Sequence, residues 1–251
     1  MIFELYRRRF WTFRLLFFLN LSLLCTIARP IRAAESAGPA RPSATGQNIT
    51  GERKPEGRDS GARTYRIGVL AKRGRRKCEE RWRPTAEYLT RAVREASFEL
   101  QPLDFEEIND AVADRRVDFL LANPAVFVRM DARHGLSQVA TLTNMHIGHP
   151  CARFGGVIFC RRDGPDIRRL SDLRGKSFMA VDPRSLGGWL VALRELKQHG
   201  FDIRDDFASL KFAGTHDAVV LAVARGRVDA GTVRTDTLER MAQEGRIRLE
   251  D

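Results

Sequence analysis

From Tyr65 to the last residue, short apolar runs alternate with longer segments whose apolar residues recur at helical spacing. The short runs predict strands at Tyr65–Ala71, Phe98–Leu103, Val117–Ala122, Val139–Leu142, Gly156–Cys160, Phe178–Val181, Leu210–Phe212 and Val228–Val233. The longer segments predict helices at Pro84–Glu95, Glu106–Asp114, Pro124–His134, Gly188–Gln198, Asp217–Arg225 and Thr237–Gln243. Pro124 suits a first helical turn, and Gly200 stops the helix that carries Trp189, Leu193 and Leu196 on one face. Strands and helices in this succession imply an α/β protein with parallel sheets joined by right-handed crossovers.

One internal echo divides that succession. Ala111-Val112-Ala113-Asp114-Arg115-Arg116-Val117-Asp118 returns as Ala222-Val223-Ala224-Arg225-Gly226-Arg227-Val228-Asp229, with six of eight positions identical. Both copies fall where a helix turns into a strand. Chance similarity of two αβ turns is one reading; the other is a pair of equivalent α/β lobes. The expected crossover is Asn144–Gly156, interrupted by Gly148, Pro150 and Gly155, so lobe 1 is expected over 64–149 and lobe 2 over 150–251.

The N-terminal quarter follows another pattern. Arg7, Arg8, Arg9 and Arg14 precede an apolar run, Leu15–Ile27, shorter than the roughly 20 residues a membrane-spanning helix needs. Ala28, Ala33 and Ala34 complete the order of a signal peptide over 1–34, with a membrane anchor as the alternative. Residues 35–63 hold five Gly, three Pro and a single large aliphatic, Ile49, which predicts a flexible linker. The leader and linker also carry much of the net charge of +11: residues 1–63 contain 11 Lys and Arg against 5 acids, the remainder 32 against 27. Excess charge placed there gives no basic groove with interleaved aromatics, which argues against a nucleic-acid partner.

Open α/β sheets bind ligands beyond the carboxyl ends of their strands, where helices begin and present unpaired N–H groups. Four such loops carry polar residues: Asn123-Pro124, Ser185-Leu186-Gly187-Gly188, Gly214-Thr215-His216 and Arg234-Thr235-Asp236. Gly187 and Gly188 permit close backbone approach, and Ser185 offers a hydroxyl. Ser185 and Thr215 read equally well as ordinary helix caps, Asp236 as a cap or surface charge, and Arg234 as a solvated cation. His216, beside a glycine in a first helical turn, suits an anion in either protonation state. The run Lys72, Arg73, Arg75, Arg76 and Lys77 reads as a solvated basic loop. His146-x-x-His149-x-Cys151 supplies three metal-ligand types and no fourth, so no metal site is assigned. Cys151 and Cys160 lie roughly 30 Å apart if the chain between them is extended, and no structural disulfide is expected. No H-E-x-x-H, Walker, G-x-S-x-G or dinucleotide signature appears, so an enzyme is the minority reading.

Arg66-Ile67-Gly68-Val69-Leu70-Ala71, Val117–Pro124, Phe178-Met179-Ala180-Val181-Asp182, Gly214–Val220 and Val228-Asp229-Ala230-Gly231 together resemble the periplasmic phosphonate- and phosphite-binding proteins of ABC transporters. Arg234–Met241 resembles the branch that serves as input domain of tetrathionate-type sensor histidine kinases. The resemblance implies a type II periplasmic-binding fold, two βα lobes with a hinge closing on a small oxyanion, without catalysis or cofactor. It implies a ligand set of Asn123, Phe127, Ser185, Gly187, Gly188, Thr215, His216 and Asp236. Relatives usually place a Tyr where this chain has Phe127, which removes a hydroxyl expected for phosphonate. Relatives also return to lobe 1 where this chain reaches Arg246–Asp251, so an incomplete first lobe is expected. The implied partners are the anion and either an ABC permease or a sensor kinase with its response regulator, outside the cytoplasm.

Overall fold

The computed structural model describes residues 63–146 and 149–251, together with no ligand. The expected leader over 1–34, and the expected linker up to its last residue, lie outside the described residues. Strand β1 (Arg63–Leu70) is the middle of a parallel sheet, flanked by β2 (Ala96–Leu103) and β3 (Phe119–Leu121). Helix α1 (Arg75–Ala92) joins β1 to β2, α2 (Glu107–Ala113) joins β2 to β3, and α3 (Pro124–His134) follows β3. An antiparallel pair, β4 (Asn144–His146) and β5 (His149–Cys151), leads to the second sheet.

That sheet contains β6 (Gly156–Cys160), β7 (Ser177–Ala180), β8 (Ser209–Phe212) and β9 (Ala230–Arg234) in the order β6-β9-β7-β8. Strands β7, β8 and β9 run parallel, and β6 lies antiparallel against β9. A π-helical turn, Leu186–Leu190, runs into α4 (Val191–Gln198); α5 (His216–Ala224) precedes β9 and α6 (Thr237–Gln243) follows it. The order β2-β1-β3 with α1, α2 and α3 is therefore repeated by β8-β7-β9 with α4, α5 and α6.

The echo marks equivalent corners of this repeat. Arg116 N–H donates to Ala111 C=O at 2.8 Å, and Arg227 N–H to Ala222 C=O at 2.9 Å. Each corner turns through a residue with positive φ, Arg115 at 53° and Gly226 at 65°, which ends the helix in a left-handed cap. The aspartate that follows then grips the neighbouring strand: Asp118 accepts from Arg66 N–H, and Asp229 from Ser177 N–H, each at 2.8 Å. The two corners are therefore alike in their contacts as well as in sequence.

One apolar core joins the two sheets. Leu70, Leu103, Phe105, Ile108, Val126 and Met130 pack in a single cluster with Val181, Val219, Val220, Val233, Leu238 and Met241. A second cluster, built on Phe178, Trp189, Leu196, Phe201 and Phe207, supports the far side of the second sheet. Burial of this area is the main source of stability.

Two elements differ from the sequence reading. Helix α1 begins at Arg75, nine residues before the expected Pro84, which it contains in its interior. It buries only Cys78 and Ala86 and carries i,i+4 ion pairs, Arg76–Glu80 and Arg83–Glu79, on its solvated face. That apolar stripe is too thin to register as a period. The expected strand Val139–Leu142 is irregular, with Val139 exposed, and the pairing strands are β4 and β5 instead. The expected 149/150 lobe boundary falls inside β5.

Candidate functional site

A cation stands at the end of β9 and another two residues beyond the end of β1. Lys72 follows the buried Val69-Leu70-Ala71, and Arg234 is the last residue of a strand buried throughout. The Lys72 N–H donates to Leu70 C=O at 2.8 Å, and its C=O accepts the His216 N–H at 3.0 Å. The start of α5 is thereby fastened to the loop after β1, across the two halves of the repeat.

The rest of that basic loop closes the same seam. Arg73 Nε donates to Asp217 Oδ1 at 2.5 Å, and its Nη1 to Glu244 Oε1 at 2.7 Å. Lys77 pairs with Glu244, and Arg246 with Asp217. The expectation of a solvated charge run is therefore corrected for Lys72, Arg73 and Lys77. Carboxylates 144 and 171 residues further along meet Arg73, which the local sequence does not reveal.

Arg234 is only 8% exposed, and its Nε is buried with no hydrogen-bond partner. The guanidinium lies over the Phe154 ring, 4.5 Å from its centroid. Asp236 Oδ1 stands 3.7 Å from Arg234 Nε, beyond hydrogen-bond reach, while Oδ2 accepts from Arg240 Nε at 3.0 Å. Asp236 adopts φ 73°, a left-handed conformation uncommon for a side chain other than Gly, Asn or Asp. Arg234 is thus a buried cation facing one carboxylate that is committed to another arginine.

His216 supports the same arginine from its backbone. Its Nδ1 accepts the Arg234 N–H at 3.1 Å, which assigns the ring proton to Nε2. Burial first, and then the Lys72, Arg234 and Arg73 cations, push its pKa from 6.5 down to about 3. The imidazole is neutral at neutral pH, so the expected choice between two protonation states is closed. Burial also pushes Lys72 down to about 7, helped by Arg234, Arg81 and Arg240 and opposed by Asp236. Arg81 and Arg234 are lowered by burial as well. Four cations, Lys72, Arg81, Arg234 and Arg240, therefore act on one another around a single carboxylate.

Several expected ligand residues act as helix caps. Asn123 Oδ1 accepts from Ala125 N–H at 3.0 Å and Val126 N–H at 3.1 Å, starting α3. Ser185 Oγ accepts from Gly188 N–H at 3.2 Å, and Thr215 Oγ1 from Ala218 N–H at 3.3 Å. Gly187 and Gly188 permit close approach, and the neighbours that approach are protein. A Cβ on Gly187 would stand 2.9 Å from Gly155 O and 3.0 Å from Arg234 Cβ; one on Gly188 would stand 2.4 Å from Val181 Cγ2. Phe127 is half-buried in α3, which packs against the π-turn. The structure brings Gly187, His216 and Asp236 to Arg234, with Ser185 and Thr215 at the adjoining helix starts.

Lys72, Arg81, Arg240 and Phe154 were absent from the sequence-derived ligand set, and Arg234 reads there equally well as solvated. The signal that identifies Lys72 and Arg234 is a cation at or just beyond the buried end of a strand. A mixed-charge groove between α1 and β2, lined by Glu79, Arg83, Glu87, Phe98 and Glu99, contains none of these residues. His149 and Cys151 lie in β5, and the described residues hold no group of three or more His, Cys, Asp or Glu placed to bind a metal. The side chain of His146 is outside them.

Residues 67–251 match a family described as ABC transporter, phosphonate, periplasmic substrate-binding protein. Over 192 residues the chain is 35% identical to the tetrathionate sensor histidine kinase of Salmonella typhimurium, covering 76% of this chain and 32% of that protein. The chain thus spans about a third of that relative's length. Among solved structures, PhnD1 from Prochlorococcus marinus in complex with methylphosphonate superimposes with a TM-score of 0.64 at 17% identity, covering 73% of this chain and 68% of that one. A binding-protein component of an ABC phosphonate transporter from Pseudomonas aeruginosa gives 0.62 at 19% identity, covering 73% and 61%. At such identities the likeness is one of fold, and that fold is the type II periplasmic-binding architecture of two α/β lobes.

Proposed function

Because the chain belongs to the phosphonate periplasmic substrate-binding family of ABC transporters, we propose that it binds a small oxyanion, without turning it over, in the cationic seam between its lobes. The observation that carries this reading is Arg234, a buried guanidinium with an unpaired Nε beside Lys72. A buried guanidinium whose one nearby carboxylate stands beyond hydrogen-bond reach is costly, and an anion placed there reduces that cost. The N-termini of α5 and of the π-turn add main-chain donors and a favourable dipole, and π-turns often accompany functional sites. In this reading Lys72 and Arg234 supply charge, and His216 donates through Nε2. Ser185, Gly187, Gly188 and Thr215 form the wall from the second lobe. Asn123 and Phe127 stand on the first-lobe side, and Asp236 holds Arg240.

The ligand favoured is a sulfur oxyanion or another small anion rather than a phosphonate, because Phe127 brings no hydroxyl. The test is a thermal-shift screen with phosphate, phosphite, methylphosphonate, sulfate, thiosulfate and tetrathionate. One of them should raise Tm in the parent and fail to do so in Arg234→Gln. A flat response to all six overturns the reading.

A second setting for the same binding step is signal input, favoured by the match to a tetrathionate sensor histidine kinase. The adjacent genes separate the two: an ABC permease and ATPase indicate delivery, a response regulator and kinase indicate sensing. The family is periplasmic, and we assign export to the leader expected over 1–34. Among the described residues no helix is long and apolar enough to cross a membrane.

A further inference from the structure

Lys72 differs from the other cations of the seam. Its backbone is fixed at both ends, to Leu70 and to His216, so the position from which its side chain departs is set by contact between the lobes. Arg73, from the same loop, and Lys77, in the first turn of α1, are neutralised by Asp217 and Glu244, and Arg240 by Asp236. Lys72 Nζ makes no hydrogen bond and closes no ion pair among the described residues, although Arg234, Arg81 and Arg240 all act on it. Among the described residues, the carboxylate that acts most on it is Asp236, which is already bonded to Arg240.

We propose that Lys72 contacts the bound oxyanion directly and takes up a proton as the anion binds, so that ligand binding by this protein is proton-coupled. The inference rests on the oxyanion reading above. Of the two amines in the seam Lys77 is paired with Glu244, which leaves Lys72 as the cation able to shed its proton near neutrality, since guanidinium does not. In the free protein, burial and the three arginines hold Lys72 at about 7, so much of it is uncharged at neutral pH. An anion brought against Nζ reverses the balance and restores the ammonium. The other groups facing Lys72 do not supply this proton exchange: His216 on α5 is held neutral with a pKa of about 3, and Arg81 on α1, Arg234 on β9 and Arg240 on α6 stay charged. Asp236 attracts the ammonium and favours uptake.

The experiment is calorimetric titration of the full chain with sulfate, thiosulfate and tetrathionate, in pairs of buffers that differ in ionisation enthalpy. These probes keep a constant charge from about pH 6 to about pH 9, so any proton exchanged belongs to the protein. The anion that binds should take up about half a proton near pH 7 and close to one by about pH 8 to 9, its Kd weakening by up to about tenfold per pH unit above 7. Lys72→Arg should bind with no uptake and a flat pH profile, and Lys72→Gln should bind more weakly, also with no uptake. Binding by the parent without uptake, or uptake that persists in Lys72→Arg, overturns the role of Lys72 and leaves the oxyanion reading standing. No binding of any of the three probes overturns this role of Lys72 and the sulfur-oxyanion ligand, whereas the oxyanion reading itself falls only on a flat response to all six anions of the thermal screen.

Discussion

The Nδ1 of His216 accepts the main-chain N–H of Arg234 at 3.1 Å, so the first residue of α5 holds the last residue of β9 in place. The ring is buried, and the same residue's N–H reaches Lys72 C=O. One histidine therefore positions two cations of the seam, Lys72 and Arg234, through their backbones and not through their charges.

Stability should depend on pH through this ring. The folded pKa of about 3 lies below the ordinary 6.5, so between those values the unfolded chain binds more protons. The contribution is complete above about pH 6.5 and is lost as pH falls toward 3, at up to about 1.4 kcal/mol per pH unit. Urea unfolding across this range should show that slope in the parent and a shallower one in His216→Ala. At neutral pH the variant should lose about 1–3 kcal/mol, because the Arg234 N–H is left without an acceptor.

Gly188→Ala should destabilise the protein by about 1–3 kcal/mol, since its new methyl falls on Val181 and Ser185 inside a filled core. Gly187→Ala presses instead on Gly155 and on the backbone of Arg234. It should lower anion affinity more than Gly188→Ala does for an equal loss of stability. Denaturant melts and titration with the anion that responds in the screen measure the two effects separately.

Glu244 accepts from both Arg73 and Lys77, and the Arg73 hydrogen bond leads the causes that hold its pKa at about 2. Because the folded value is below the ordinary 4.5, its contribution is present above that pH and disappears as pH falls toward 2. Glu244 is a third exposed, so Glu244→Gln should cost only about 0.5–1.5 kcal/mol at neutral pH and low salt. The loss should shrink in high salt, as guanidinium-free urea melts at two ionic strengths will show.

The two corner aspartates should differ although their sequence setting repeats. Asp229 is partly buried and accepts from both the N–H and the hydroxyl of Ser177, at 2.8 and 2.7 Å. Asp118 is exposed and bonds one N–H of Arg66. Asp229→Ala should cost about 1–3 kcal/mol and Asp118→Ala under about 1 kcal/mol, compared by urea midpoints.

Much of the frame was legible in the chain. Local spacing located the parallel strands of both sheets to within a few residues, because each is a short apolar-rich run set between segments of helical period. The echo at 111–118 and 222–229 identified the repeat, because a left-handed cap followed by an aspartate that grips the next strand needs particular residues at particular offsets. Asn123, Ser185 and Thr215 were legible as residues at helix starts for the same reason, since a cap bonds N–H groups only two or three positions away.

The character of the cations was decided by the tertiary structure. Lys72, Arg73 and Lys77 form one basic run in sequence, and periodicity assigns all three to solvent. Folding brings Asp217 and Glu244 to Arg73 and Glu244 to Lys77, while among the described residues Lys72 feels Asp236 but closes no ion pair. Arg234 ends an apolar strand and is buried only because Gly187, Phe154 and His216 close around it from three other parts of the chain. A side chain's charge is written in its residue type, but whether water, a carboxylate or nothing at all compensates it is set by neighbours up to 171 residues away, and only packing the two lobes together determines which neighbours those are.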